Sequence, residues 1–223
     1  MHLRLAKRLF RPTSNSPPSL ATIWFCSRAN GSRSGDGPNP ARPSPRCAAA
    51  YANEEEVGEA LADAFARGVA RRDDLFITSK LWNDRRRPAD VRAVLLQTLK
   101  DLRLEYLDLY LVHFPISLKF VPFETRYPPE WVHDPDASDP ADRVMVHDPV
   151  PIAETWRAME QLVDEGLVKN IGVCNFNVSL LADLLAAARV KPAVLQIESH
   201  PYLSQKHLVD YARLHQVHVT AFS

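Results

Sequence analysis

From residue 47 onward the chain alternates between stretches in which apolar residues recur every three or four positions and short, almost wholly apolar runs. The densest run is Tyr106-Leu107-Asp108-Leu109-Tyr110-Leu111-Val112-His113-Phe114-Pro115. Apart from Asp108 it is apolar on both parities, which suits a strand buried on both faces of a parallel sheet. It ends on His113, close to a proline that stops it. Upstream, Asn53 is expected to cap a helix whose first turn carries Glu54, Glu55 and Glu56 at the positive end of the helix dipole. Val57, Leu61, Ala64 and Phe65 form its apolar face and Gly68 its stop. Leu75 to Lys80 reads as a strand. Pro88 then opens a helix with the stripe Val91, Val94, Leu95, Leu99 and Leu102.

Downstream, residues 116–150 are rich in proline and aromatics and too long for an idle connector. They are expected to form an active-site loop, because Phe120, Phe123, Tyr127 and Trp131 need surfaces to pack on. Pro151 opens a helix with Ile152, Trp156, Met159, Leu162 and Val163 inward and Gly166 as stop. A strand over Lys169–Val173 follows, then a helix capped by Ser179 with Leu180, Leu181, Leu184 and Leu185. Ala193–Ile197 is a strand, Ser204 caps a helix with Leu208, Tyr211, Ala212 and Leu214 inward, and Val217–Phe222 is a last strand.

Alternating strands and helices predict an α/β fold with a parallel sheet. A doubly wound sheet and a (β/α)8 TIM barrel both fit. No G-x-G-x-x-G follows a strand, so the dinucleotide fingerprint of the doubly wound fold is absent. Polar residues instead sit at strand C-terminal ends: Lys80, His113, Asn175 and Gln196. In a barrel those ends share one rim, where catalytic groups gather, and the barrel is the expectation.

Composition adds limits. The chain has 223 residues, 46% hydrophobic and 24% charged, ordinary for a globular protein with a real core. Its 27 basic and 27 acidic residues cancel, which argues against a nucleic-acid partner held by bulk charge. No apolar run is long enough to span a membrane. Cys26, Cys47 and Cys174 show neither zinc spacing nor a disulfide framework, so no metal is expected and a reducing, cytoplasmic setting is the default. Residues 1–46 differ from the rest: they are rich in Arg, Ser, Pro and Gly, with Asp36 as their one acid. They read as a disordered leader or a wrongly joined first exon; the alternative is an organelle transit peptide.

Tyr51, Lys80 and His113 together describe a chemistry. An ammonium beside a phenol favours the phenolate and so makes the phenol a better proton donor. A neutral imidazole can orient a carbonyl oxygen and stabilise charge developing on it. With a hydride source alongside, the three make a carbonyl reduction site. Each alone has a plain structural reading: a helix-start residue, a surface charge, a satisfied core histidine.

From Cys47 to Ser223 the sequence resembles an aldo-keto reductase, most closely the xylose reductase branch. Cys47-Ala48, Tyr51, Asn53-Glu54 and Val57-Gly58 match the later part of that family's first signature. Met159 through Lys169-Asn170-Ile171-Gly172-Val173-Cys174-Asn175-Phe176 matches its second. Ser79-Lys80-Leu81-Trp82 and Val112-His113-Phe114-Pro115 match the segments of the family lysine and histidine. The runs Lys119 to Glu124, Tyr127-Pro128-Pro129 and Gln196 to Tyr202 are similar to the xylose reductase pattern.

The resemblance implies Tyr51 as proton donor, Lys80 as its charge partner and His113 as the carbonyl-orienting group. It implies NADPH, or NADH, as cofactor. Asn175 and Gln196 would hold the nicotinamide carboxamide and Phe222 would stack on the ring. Cys174 stands where many members have serine, and Ser223 lies on the same cofactor side. Trp82 and Phe114 would wall an apolar pocket for a small-molecule carbonyl substrate. Two departures stand out. Arg46 occupies the position of an aspartate that pairs with the lysine, which would place a like charge beside Lys80. The first strands and the phosphate-gripping end of a barrel of about 250 residues are not recognisable. The expected molecule is therefore an incomplete barrel that reduces an aldehyde or aldose, with poor cofactor binding and little turnover as it stands; a non-catalytic regulatory module on the same scaffold is the alternative. Oligomeric state is left open.

Overall fold

A computed structural model describes residues 47–223. The leader and Arg46, with the like-charge expectation attached to it, lie outside the described residues. Among the described residues, five strands form one wholly parallel sheet: β1 (Thr78–Leu81), β2 (Leu109–Val112), β3 (Ile171–Cys174), β4 (Val194–Glu198) and β5 (His218–Phe222). They pair in sequence order, β1-β2-β3-β4-β5, without the reversal of order that marks a doubly wound sheet. This is the wall of a (β/α)8-type barrel.

The strands form because their residues find cover on both faces. β1, β2 and β3 are buried throughout. Side chains alternate between the two faces. Tyr110 and Val112 belong to the large core shared with the helices, whereas Leu109 and Leu111 pack with Cys174 and Val194 on the other face. Lys80 is in register with Leu111, and Ser79 with Tyr110. Lys80 therefore shares the inner face with Leu111, and Ser79 points the other way, toward the helices. Gly172 permits this spacing: a Cβ there would stand 2.4 Å from the Val194 carbonyl oxygen.

The helices are α1 (Glu54–Ala66), α2 (Pro88–Leu102), α3 (Ile152–Asp164), α4 (Val178–Ala187) and α5 (Lys206–Leu214). The stripe of α2 is buried as the pattern predicts, as are Trp156, Met159 and Leu162 of α3. α1 lies so close to the end of α2 that a Cβ on Gly58 would be 2.1 Å from the Asp101 carbonyl oxygen.

The helix starts depart from expectation. Asn53 is at the N-cap of α1 but its side chain makes no capping bond. Asn177, not Ser179, caps α4, its Oδ1 accepting from the Leu180 amide at 2.9 Å. A side-chain oxygen reaches the amide three residues on, and Ser179 is already inside the helix. Ser204 does not cap α5; Gln205 is the N-cap, in the left-handed region at φ 51°, with no side-chain bond. Leu214, expected inward, is 76% exposed at the last position of α5. Strand starts move too: β1 begins at Thr78, three residues after Leu75.

The segment 116–150 is a packed strap rather than a free loop. Leu118 and His147 form an antiparallel bridge, and the Lys119 amide donates to the Val146 carbonyl at 2.8 Å. The Arg85 guanidinium lies over Phe120 and Phe123 at 4.5 and 4.3 Å. Among the described residues, no helix is long and apolar enough to cross a membrane.

Candidate functional site

The inner face and its C-terminal rim collect the polar residues. Lys80 is 2% exposed on β1. Its Nζ donates to the Cys47 carbonyl oxygen and to Tyr51 Oη, both at 3.0 Å. Tyr51 is carried by a single 3-10 turn, Ala49–Tyr51, hung beside β1 by the Cys47 amide, which donates to the Thr78 carbonyl at 2.8 Å. Among the described residues, no ion pair joins Lys80 to a carboxylate within 4.0 Å. A buried ammonium held by neutral oxygens gains most from a partner that can become anionic, and the phenol is that partner.

His113 follows β2 directly. Its ring meets Tyr51 edge-on at 5.7 Å and lies nearly flat on Phe114 at 4.9 Å. Burial, aided by the Lys80 ammonium, pushes the imidazole down to about 3, so it is neutral near pH 7. Its Nδ1 is buried with no hydrogen-bond partner among the described residues. A neutral imidazole and a phenol side by side suit an oxygen that accepts from both.

Trp82 follows β1 and closes one side. It meets His113 at 5.0 Å and Phe114 at 6.1 Å. Trp131 from the strap completes the wall, 4.8 Å from Trp82 and 4.9 Å from Phe114, while the Trp82 indole donates to the Glu130 carbonyl at 3.2 Å. Sequence reasoning gave Trp131 a need to pack but no place in the pocket. Nothing in its spacing shows that the strap returns to Trp82.

On the neighbouring strand ends stand the residues assigned to the cofactor. Asn175 follows β3 in the left-handed region at φ 61°, and its Nδ2 donates to the His113 carbonyl at 2.8 Å. That leaves Oδ1 to offer to an amide N–H. Gln196, 6% exposed, takes the Cys174 thiol on Oε1 at 3.6 Å, which leaves its Nε2 as a donor. Phe222 at the end of β5 is 36% exposed, a ring with an open face, and Ser223 beside it is exposed. One amide acceptor, one amide donor and an open aromatic face fit a flat ring bearing a carboxamide.

Glu54 stands in the first turn of α1, as the pattern predicts. It is 4% exposed. Ser79 Oγ donates a short hydrogen bond to its Oε1, and Thr98 Oγ1 donates to Oε2 at 3.0 Å. Burial raises this carboxyl to about 7 against the pull of those two bonds; Asp101 raises it and Lys80 lowers it. Glu55 and Glu56, beside it in the same turn, are exposed. No cluster of metal-ligating side chains occurs among the described residues. A surface cleft of about 420 Å³, lined by Arg87, Asp90, Lys119, Phe120, His147 and Asp148, shares no residue with this constellation.

Residues 47–223 match the model of the Aldo/keto reductase family. The chain is similar to the NAD(P)H-dependent D-xylose reductase of Pachysolen tannophilus, 54% identical over 178 residues, covering 79% of this chain and 54% of that protein. It is 50% identical over 173 residues to an NADPH-dependent aldose reductase of Saccharomyces cerevisiae, covering 78% and 52%. The chain thus spans about half the length of the curated relatives it matches. Among solved structures it resembles the aldose reductase from Schistosoma japonicum, with TM-score 0.72, 44% identity and coverage of 81% and 56%. A Bombyx mori aldo-keto reductase in complex with NADP matches with TM-score 0.68, 35% identity and coverage of 81% and 51%.

Proposed function

Because the chain belongs to the aldo/keto reductase family, we propose that it reduces the carbonyl of an aldehyde or aldose to an alcohol with NADPH or NADH. The observation that carries the proposal is the Lys80 ammonium donating to Tyr51 Oη at 3.0 Å beside a neutral His113. The ammonium occupies an oxygen lone pair, so the phenol proton is directed elsewhere. His113 and Tyr51 together present hydrogen-bond donors to the substrate oxygen. Tyr51 delivers its proton to that oxygen as the carbonyl becomes an alcohol, and Lys80 stabilises the phenolate left behind.

Reduced nicotinamide, when bound, would supply the hydride. Asn175 and Gln196 would hold its carboxamide, with Cys174 fixing the Gln196 amide, and Phe222 would cover its ring. Trp82, Phe114 and Trp131 shape an apolar wall that keeps water from the reacting carbonyl. Names of relatives point to sugars, D-xylose among them, as the carbonyl compounds. No observation favours the alternative of a non-catalytic module.

The test is loss of reduced-nicotinamide absorbance with D-xylose and with a simple aldehyde. Tyr51→Phe is expected to lower kcat by roughly a hundredfold or more. Equal turnover by the wild type and Tyr51→Phe would sink the proposal.

A further inference from the structure

We propose that Glu54 is a positioning residue for the Tyr51–Lys80 pair, fastening the turn that carries Tyr51 to the strand that carries Lys80. The naming of that pair as the reacting groups rests on the carbonyl-reduction reading; the fastening does not. Tyr51 itself is 48% exposed and its turn is only three residues long. The approach to the turn is tied to β1 by the Cys47 amide on the Thr78 carbonyl at 2.8 Å and by Lys80 Nζ on the Cys47 carbonyl at 3.0 Å, both on the N-terminal side of Tyr51. The turn's own backbone bonds, Tyr51 amide to Ala48 carbonyl at 2.8 Å and Ala52 amide to Ala49 carbonyl at 3.2 Å, shape it without tying it to the sheet.

Glu54 supplies the tie on the other side of Tyr51. It is the first residue of α1, three positions after Tyr51. Its two oxygens accept from two separate elements: Ser79 of β1, the residue before Lys80, and Thr98 of α2. Because neighbours on a strand face opposite ways, Ser79 can be gripped from the helix side while Lys80 points to the interior. The grip therefore fixes the lysine strand without occupying the lysine. A carboxyl side chain only 4% exposed costs stability unless its bonds are made, and here both oxygens are bonded, to two different elements.

A cleft of about 250 Å³ lined by Asn53, Glu54, Asp101 and Tyr127 opens beside the carboxylate on the outer side. Loss of the Glu54 side chain would let that cleft admit water between α1 and β1. The turn could then drift from Lys80, whose 3.0 Å bond to Tyr51 leaves little slack.

Hydrogen–deuterium exchange on the full chain tests this, with Glu54→Ala, Glu54→Gln and Ser79→Ala compared with the wild type. Glu54→Ala should speed exchange in residues 47–53 by roughly tenfold or more, with α3 amides unchanged. Glu54→Gln, which keeps an acceptor for Ser79 and a donor for Thr98, should restore most of the protection. Ser79→Ala should give a smaller, equally local acceleration, and it serves if Glu54→Ala does not fold. Unchanged exchange in 47–53, or acceleration spread evenly over the chain, overturns the inference. In parallel, Glu54→Ala should lower kcat about tenfold with KM within about twofold, since a misplaced acid acts on the chemical step. A wild type that reduces no carbonyl but shows the local exchange pattern defeats the reductase reading and leaves the positioning role standing. A wild type whose kcat survives Glu54→Ala defeats the positioning role alone.

Discussion

His113 titrates far below the ordinary imidazole range, at about 3, because burial and Lys80 both disfavour its cation. The unfolded chain binds that proton below about pH 6.5 while the native state refuses it. Stability owed to the neutral imidazole is therefore present above pH 6.5 and is lost as pH falls toward 3. Between pH 6.5 and 5 the loss is on the order of 2 kcal/mol, and His113→Asn should abolish it in urea melts across that range. Glu54 has the opposite form. Its native value of about 7 lies above the ordinary 4.5, so the unfolded state releases its proton first as pH rises. Stability falls between pH 4.5 and 7, and Glu54→Gln should remove that fall. Its unfolding free energy from urea melts should gain on the wild type through that window, by an amount on the order of 3 kcal/mol. At this scale the sequence was legible only where chemistry is strong. Lys80 and His113 stood out as polar residues at strand ends, and the family resemblance joined Tyr51, which stands on no strand, to them. Glu54 did not stand out, because a helix-start glutamate looks the same on paper whether water or two hydroxyls receive it.

The α1–α2 contact is decided by one missing methyl. A Cβ on Gly58 would meet the Asp101 carbonyl oxygen at 2.1 Å and Leu102 backbone at 2.9 Å, and backbone cannot step aside as a side-chain tip can. Gly58→Ala should cost about 3 kcal/mol in chemical denaturation, since α1 must lift from α2 or bend. Such a lift would also pull Glu54 from Thr98. Helix stripes were readable because burial of a face repeats over three or four turns. Caps were not, because one hydrogen bond decides them and Ser, Asn and Asp near a boundary all offer it. Asn177 defeated Ser179 by standing outside the first turn, and Gln205 entered as a left-handed residue with no side-chain role. Leu214 fitted the stripe of α5 by spacing yet sits at its last residue, where no further element covers it.

Over the whole molecule, the alternation of elements determined an α/β sheet, and polar residues at strand ends favoured the barrel wall. What spacing could not show was contact across the strap: Trp131 reaches Trp82 from 49 positions away by a path set by Arg85, Phe120 and Phe123. The sequential strand order has a consequence for how the molecule is made. Each described strand after β1 pairs with the one synthesised just before it, so every described pairing joins neighbours in the chain. The steps are not equal. Tyr110 and Ile171 lie about twice as far apart along the chain as Thr78 and Leu109, because the strap intervenes. Doubling a loop adds only about 0.6 kcal/mol of closure entropy, so the strap delays β2–β3 pairing more than it weakens it. In pulse-labelled refolding, β3–β4 and β4–β5 amides should gain protection before those joining β2 to β3, with simultaneous protection as the contrary result. Of the described seams, the last to close would then be the one that brings Asn175 up to the His113 carbonyl, joining the Lys80–His113 side of the rim to the Asn175–Gln196 side.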